Sequence, residues 1–190
     1  HPGFWAFTTL SIASYGGLFT FLASSAFIFL KVLDLGKPAY GLAMFSMSVT
    51  YIIGTLICRR LLPRLGVRRT IALAAGCTLL GGTLLGVFAL NGWHTSWVSL
   101  LPFFLYILAH GVHQPCGQSG AVGPFPFAAG AASALNGFLM MVAAFAVGAW
   151  LGQQMDGTAV PMMMGVWFWS VMIALSSWTL VQKYGKSIDA

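Results

Sequence analysis

Between Tyr106 and Gln118 the chain reads YILAHGVHQPCGQ, with two histidines, two glutamines and a tyrosine inside an otherwise apolar stretch. His110, His113 and Cys116, at i, i+3 and i+6, are metal-ligating residue types. Helix geometry sets Cys116 roughly 120° from the mean direction of the two histidines. No fourth ligand lies nearby, and the whole chain has only three acidic residues. The same helix collects Tyr106, His110, His113, Gln114 and Gln118 on one face, roughly 140° wide. Leu101, Leu105, Leu108 and Val112 point the other way. The stretch sits near the middle of an apolar run from about Val98 to Val122, where polar groups are costly unless they face protein or a water-filled cavity. Two readings remain open. The histidines are neutral and satisfied by neighbouring backbone and glutamine, or they contact a substrate or a proton.

Composition says what must carry this face. Of 190 residues, 58% are hydrophobic and 6% charged, against about 25% charged in a soluble domain. Such a chain cannot cover a water-facing surface, so it is an all-α integral membrane protein with the lipid bilayer as its first partner. The net charge of +6 is concentrated, since five of the nine basic residues lie between Arg59 and Arg69. There is no aromatic interleaving or nucleic-acid motif around them, so they read as membrane topology and imply no nucleic-acid partner. Cys58, Cys77 and Cys116 are widely spaced and read as small buried hydrophobes. The chain starts His1-Pro2, and its first apolar run is too long for a signal-peptide core. It is expected to be a piece of something longer.

Six apolar runs can be counted, most near the ~20 residues that span a bilayer. They are about Phe7 to Leu30, Tyr40 to Ile57, Thr70 to Leu90, the central Val98 to Val122, Ala128 to Leu151, and Met162 to Val181. Pro115 should kink the fourth. Six spans put both ends on one side, together with the loop after the second run. That side holds Arg59, Arg60, Arg64, Arg68, Arg69, Lys183 and Lys186, against Lys31 and Lys37 opposite, which places both termini in the cytoplasm. Gly82 with Gly86, and Gly148 with Gly152, have the spacing of close helix packing. The third and sixth runs carry few strongly polar side chains and read as a lipid-facing scaffold. Weakly polar faces mark the first (Ser11, Ser14, Tyr15, Ser25) and the fifth (Ser133, Asn136, Met140). With the fourth, these are expected to enclose one cavity, lined in part by Tyr15, Phe27, Tyr106 and Met140, side chains that repack around varied ligands.

Several segments resemble a known family. Tyr40-Gly41-Leu42 leading through Gly54 to RRLLPRLGVRR (Arg59 to Arg69) resembles a loop of major facilitator transporters, the one between their eighth and ninth helices. Gly123-Pro124-Phe125-Pro126 with AGAASAL (Ala129 to Leu135) and Asn136-Gly137-Phe138 is similar to the bicyclomycin-resistance (Bcr/CflA-type) multidrug efflux branch. So is Gly17-Leu18-Phe19 with Ser24-Ser25-Ala26-Phe27. The resemblance covers about Leu10 to Gln182, in register with helices seven to twelve of twelve. It implies a single six-helix domain of two inverted three-helix repeats, about 4–92 and 96–184, in which the first helix of each repeat lines a central cavity. It further implies a bacterial inner-membrane location, protons and a small lipophilic drug-like molecule as ligands, and a missing N-terminal half as partner. Arg64, Gly66, Arg68 and Arg69 match the family's cytoplasmic gate loop, though the usual carboxylate is absent.

The residues expected to meet substrate are Tyr15, Tyr106, His110, His113, Gln114, Gln118, Asn136 and Met140. No nucleophile has a base and an orienting acid placed with it, and no phosphate-binding glycine loop precedes a strand. Neither an enzyme nor a cofactor is expected. Two alternatives stand beside transport: an intramembrane metal enzyme using His110 and His113, and a self-contained six-helix homodimer.

Overall fold

The computed structural model describes residues 1–154 and 156–185, so Lys186, counted above with the basic tail, lies outside them. The described residues are helical with short turns and no strand. The order is α1 (Pro2–Phe27), α2 (Lys37–Leu90), α3 (Ser96–Val122), α4 (Ala129–Gln154), α5 (Val160–Leu175) and a last turn α6 (Gln182–Tyr184). π-helical turns extend α1 over Ile28–Val32 and α5 over Ser176–Val181. Five helices are long and apolar enough to cross a membrane. That length and apolarity make this a multi-pass membrane protein.

One of the five is too long for a single crossing. The 54 residues of α2 would extend about 81 Å, against a hydrocarbon core of about 30 Å. The ladder breaks at Gly66, whose φ of 73° and ψ of 168° are not helical. A side chain strains at that φ, which is why glycine stands at the break. Two arms result, residues 37–65 and 67–90, and they correspond to the second and third apolar runs.

Contact registers fix the directions. Along α1, Phe7, Ser11, Ser14, Gly17 and Phe21 meet Gly120, Gly117, His110, Tyr106 and Phe103 in turn, so α1 and α3 are antiparallel. The first arm of α2 runs parallel to α3: Tyr51 meets His110, Gly54 meets Gly111, and Cys58 meets Cys116. The second arm is antiparallel to α3, with Thr78 on His113 and Gly81 on Pro102. The arms of α2 therefore run in opposite directions, and the chain reverses at Gly66. The second arm also lies antiparallel to α5 and its extension. Gly86, Gly82 and Ala72 meet Trp167, Ser170 and Trp178 in order. Against α1, α5 is antiparallel (Gly16 on Trp169, Thr20 on Gly165) and α4 is parallel (Phe4 and Trp5 near Ala131 to Leu135, Phe19 on Gly148). Consecutive apolar runs thus alternate in direction. Phe7, Arg68 and Gly185 gather at one end, where a β-carbon built at Gly185 would lie 3.3 Å from Arg68 Cγ and 3.4 Å from Phe7.

Burial ranks the runs differently from their polarity. The third and sixth runs are half buried, because Gly82 and Gly86 admit Ser170 and Trp167 against the backbone. The most exposed runs are the second, with Leu42, Phe45, Ile52 and Leu56 outward, and the fifth, with Phe138, Val142 and Phe145 outward. Lack of polar side chains does not separate a lipid-facing helix from one packed on another apolar helix, since lipid tails and leucine are equally apolar. Helix α3 stays helical through both Pro102 and Pro115.

Candidate substrate-binding groove

At the crossing of α1 and α3 three aromatic rings stack. Phe21 and Phe103 have centroids 3.7 Å apart, and Phe103 and Tyr106 are 5.3 Å apart. The Phe103–Tyr106 spacing is that of an offset stack, which contributes about 0.5–1.5 kcal/mol beyond area burial. Tyr106 is fully buried and its hydroxyl donates to the Ser14 carbonyl at 2.9 Å. Gly17 leaves room for that hydroxyl, because a β-carbon there would strike it. Ser14 also reaches α3 through its side chain, with Oγ 2.7 Å from His110 Nδ1. Tyr106 and Ser14 are therefore a clasp between two helices.

Beside this clasp opens a groove of about 770 Å3. Tyr15, Leu18 and Leu22 of α1 form one wall and Phe103, Ile107, His110 and Gln114 of α3 another. The third comes from the first arm of α2, with Tyr40, Met44, Met47, Ser48 and Tyr51. No lining side chain carries a fixed charge. Hydroxyls, one imidazole and one amide supply the polar atoms, set among aromatic rings and thioethers. The Tyr51 and His110 rings lie 5.7 Å apart, and Tyr40 meets Ser25 Oγ at 2.8 Å. Such a lining suits an apolar or aromatic molecule with a few hydrogen-bonding groups, because unpaired ligand charge would stay uncompensated.

Of the residues expected at a site, Tyr15, His110 and Gln114 line this groove. Tyr106 lies behind the wall, in the clasp. His113, also fully buried, turns to the second arm of α2, its Nε2 3.1 Å from Thr78 Oγ1. Thr78 uses its one hydroxyl proton on the Ala74 carbonyl, so His113 donates from Nε2, and its buried Nδ1 has no protein partner. Gln118 is exposed, at the α3 end beyond Cys116. Asn136 and Met140 are buried on α4 outside the groove lining, and Met140 meets Gln114. Asn136 Nδ2 and Gln114 Nε2 point at Met140 Sδ from 3.7 and 4.0 Å. Gln114 Oε1 and Asn136 Oδ1 are left without protein partners. Phe27, on the last turn of α1, is half exposed.

The single polar face read from the sequence is thus split three ways. His110 faces α1 and the groove, His113 the second arm of α2, and Gln114 both the groove and α4. One wall went unread: Tyr40, Met44, Met47, Ser48 and Tyr51 recur at i, i+4, i+7, i+8 and i+11, a helical stripe visible in the sequence. Among the described residues no three His, Cys, Asp or Glu side chains gather to hold a metal ion. At the Gly66 reversal, Arg68 Nη1 donates to the Gln182 carbonyl at 3.3 Å, and Gln182 Nε2 donates to the Arg68 carbonyl at 3.0 Å. Arg64 and Arg69 are exposed beside them. No known family profile, curated protein or solved structure matches the chain.

Proposed function

We propose that this chain is the C-terminal six-span half of a proton-linked multidrug efflux transporter of major facilitator type, working by alternating access. One observation carries the reading, the relation between its two sets of three apolar runs. The second run packs parallel on the fourth, and the fifth packs parallel on the first. The third crosses the fourth antiparallel, as the sixth crosses the first. Exchanging runs one to three with runs four to six carries these four pairings into one another and reverses the direction of each run, as an inverted repeat would. Runs one and four, equivalent under that exchange, meet at the centre and carry Tyr15, His110 and Gln114 into an uncharged groove. A lipophilic drug-like substrate fits this lining.

Within this reading both termini and the Arg59–Arg69 reversal lie on the cytoplasmic face of a bacterial inner membrane, and Arg68 with Gln182 ties the reversal to the chain's end. The bundle rocks against an N-terminal half, and the outward apolar faces of the second and fifth runs border that half or lipid. Proton coupling and the branch rest on the resemblance in the loops. His110 and His113 engage different helices, an arrangement that favours transport over an intramembrane metal enzyme.

The test is His110→Ala in the complete transporter, at unchanged expression. Resistance to at least one effluxed compound should fall, with direct binding of that compound weakened in purified protein. Unchanged resistance and unchanged binding across all effluxed compounds would remove the groove from the reading.

A further inference from the structure

A thiol pair lies on the seam between the first arm of α2 and α3, beyond the groove and next to Arg59. Cys58 Sγ and Cys116 Sγ are 3.5 Å apart. Both are free and each is 2% exposed. What brings them together is the backbone contact one turn earlier. A β-carbon at Gly111 would sit 2.6 Å from the Tyr51 carbonyl oxygen and 2.8 Å from the Thr55 nitrogen, so only hydrogens separate the two helices there. The helices run parallel, and Cys58, four residues after Gly54, leaves that contact in step with Cys116, five residues after Gly111. A disulfide needs cysteine α-carbons within about 7 Å and sulfurs at about 2.05 Å. The two helices touch through glycine one turn away, and sulfurs already 3.5 Å apart need a short rotation of each side chain to reach bonding distance.

We propose that Cys58 and Cys116 form an oxidation site, closing reversibly to a disulfide that locks the first arm of α2 against α3. Two S–H bonds break and one S–S bond forms, while two electrons and two protons pass to an oxidant. With an azodicarboxamide the first sulfur adds across N=N. The second sulfur then attacks the first, the S–S bond forms as the S–N bond breaks, and the released hydrazine carries both hydrogens. The new bond joins the helix bearing Met44, Met47 and Tyr51 to the helix bearing Ile107 and His110, fixing the spacing of two groove walls. That effect on transport rests on the function proposed above, whereas the thiol chemistry does not.

The test uses the full chain with exposed Cys77 replaced (Cys77→Ser), in lipid vesicles, treated with diamide as the permeant azodicarboxamide. Thiols counted after denaturation in detergent should fall from two to none. With a protease site in the exposed turn of residues 91–95, the cut halves should stay joined on a non-reducing gel and separate with reductant. Adding Cys116→Ser should leave one thiol and separable halves. Two surviving thiols, or bands of doubled mass from linkage between copies, would overturn the proposal. In the complete transporter, thiols that close without any change in efflux would leave the oxidation site standing and overturn the claim that the bond fixes the two groove walls.

Discussion

The second apolar run lies parallel to the fourth and the fifth parallel to the first, yet the two are held very differently. The first arm of α2 touches α3 backbone to backbone. A β-carbon at Gly54 would strike the Leu108 carbonyl, and one at Gly111 would press on Tyr51, Gly54 and Thr55. Helix α4 meets α1 through side chains: a β-carbon at Gly148 would lie 3.5 Å from Phe19, and β-carbons at Gly130, Gly137 or Gly152 would meet nothing within 4 Å. Its outer face is left to Phe138, Met141 and Phe145, the last 78% exposed. In lipid the tails are as apolar as the side chains, so helix association comes from close packing and interhelical hydrogen bonds. By that measure the first arm of α2 is held backbone to backbone, and α4 more loosely, through the side chains of one buried stripe from Ala132 to Leu151. The difference explains why the groove forms against α2 and not α4. It also marks α4 as the element with most apolar surface left for lipid or a partner.

The sharpest way to break this comparison is to spoil the tight seam. Gly111→Val places a branched side chain against backbone atoms that cannot rotate away, and overpacking alone costs about 1–3 kcal/mol or more. We expect a loss at or above the top of that range, read by reversible denaturation in mixed micelles, with the groove opened as well. A loss under about 1 kcal/mol would mean that the seam yields and the anchoring argument is wrong. Next comes the polar seam on the other side of α3. Thr78→Val strands the Nε2 donor of His113 in a dry interface, at about 1–3 kcal/mol. His113→Phe in the same background should recover part of that loss. Failure of the double variant to recover would show that the ring's other contacts dominate. Tyr106→Phe removes one hydrogen bond to Ser14 and leaves the ring stack, so about 1 kcal/mol is expected by the same assay.

These residues also show how far a sequence can be read. The six apolar runs, the reversal near Gly66 and the packing of Gly82 and Gly86 were legible, because glycine, arginine and run length report directly on backbone and bilayer. The polar face of α3 was legible as a face, but not as three separate destinations. A 140° arc on one helix is wide enough to touch three neighbours, and only their positions decide which side chain meets which. Hence Tyr15, His110 and Gln114 share the groove while Tyr106 and His113 serve as interhelical bonds. Gly148 and Gly152 show the same limit, having the spacing of Gly82 and Gly86 without a helix pressed against them. The thiol pair was the least legible, since Cys58 and Cys116 meet only through the Gly54–Gly111 contact. The homodimer alternative meets neither support nor conflict in these contacts.

On the loose side, substitutions should be mild or beneficial. Gly137 has open space around its α-carbon and sits inside a helix, where alanine is favoured over glycine by about 0.8–1.0 kcal/mol. Gly137→Ala should therefore leave the isolated chain unchanged or up to about 1 kcal/mol more stable. If the same change impairs the complete transporter, the residue faces the partner half and not lipid, which sharpens the assignment of that surface. A clear destabilisation of the isolated chain would contradict the view of α4 as loosely held.

The smallest effect concerns how α4 is passed on to α5. The Thr158 backbone and side chain both donate to Asp156 Oδ1, at 2.9 and 2.7 Å, and the Val160 N–H donates to Thr158 Oγ1 at 3.3 Å. The relay ends on the first residue of α5 and substitutes for one of the helix's missing backbone partners. These hydrogen bonds, led by the Thr158 hydroxyl, hold the Asp156 carboxyl below its ordinary value. For a carboxyl depressed in the folded state the stabilisation is complete above the unfolded value of about 3.9. It fades as pH falls through the lower folded value. Amide exchange at Thr158 and Val160, corrected for intrinsic rates, should then be flat from neutral pH down to about 5 and rise only below about 3.9. Asp156→Asn keeps an acceptor without a titrating charge, so its exchange should be slightly faster at neutral pH and lose that acid dependence. An equal acid response in the asparagine variant would assign the effect to the bundle as a whole. The turn would then contribute nothing of its own to holding α4 beside α5.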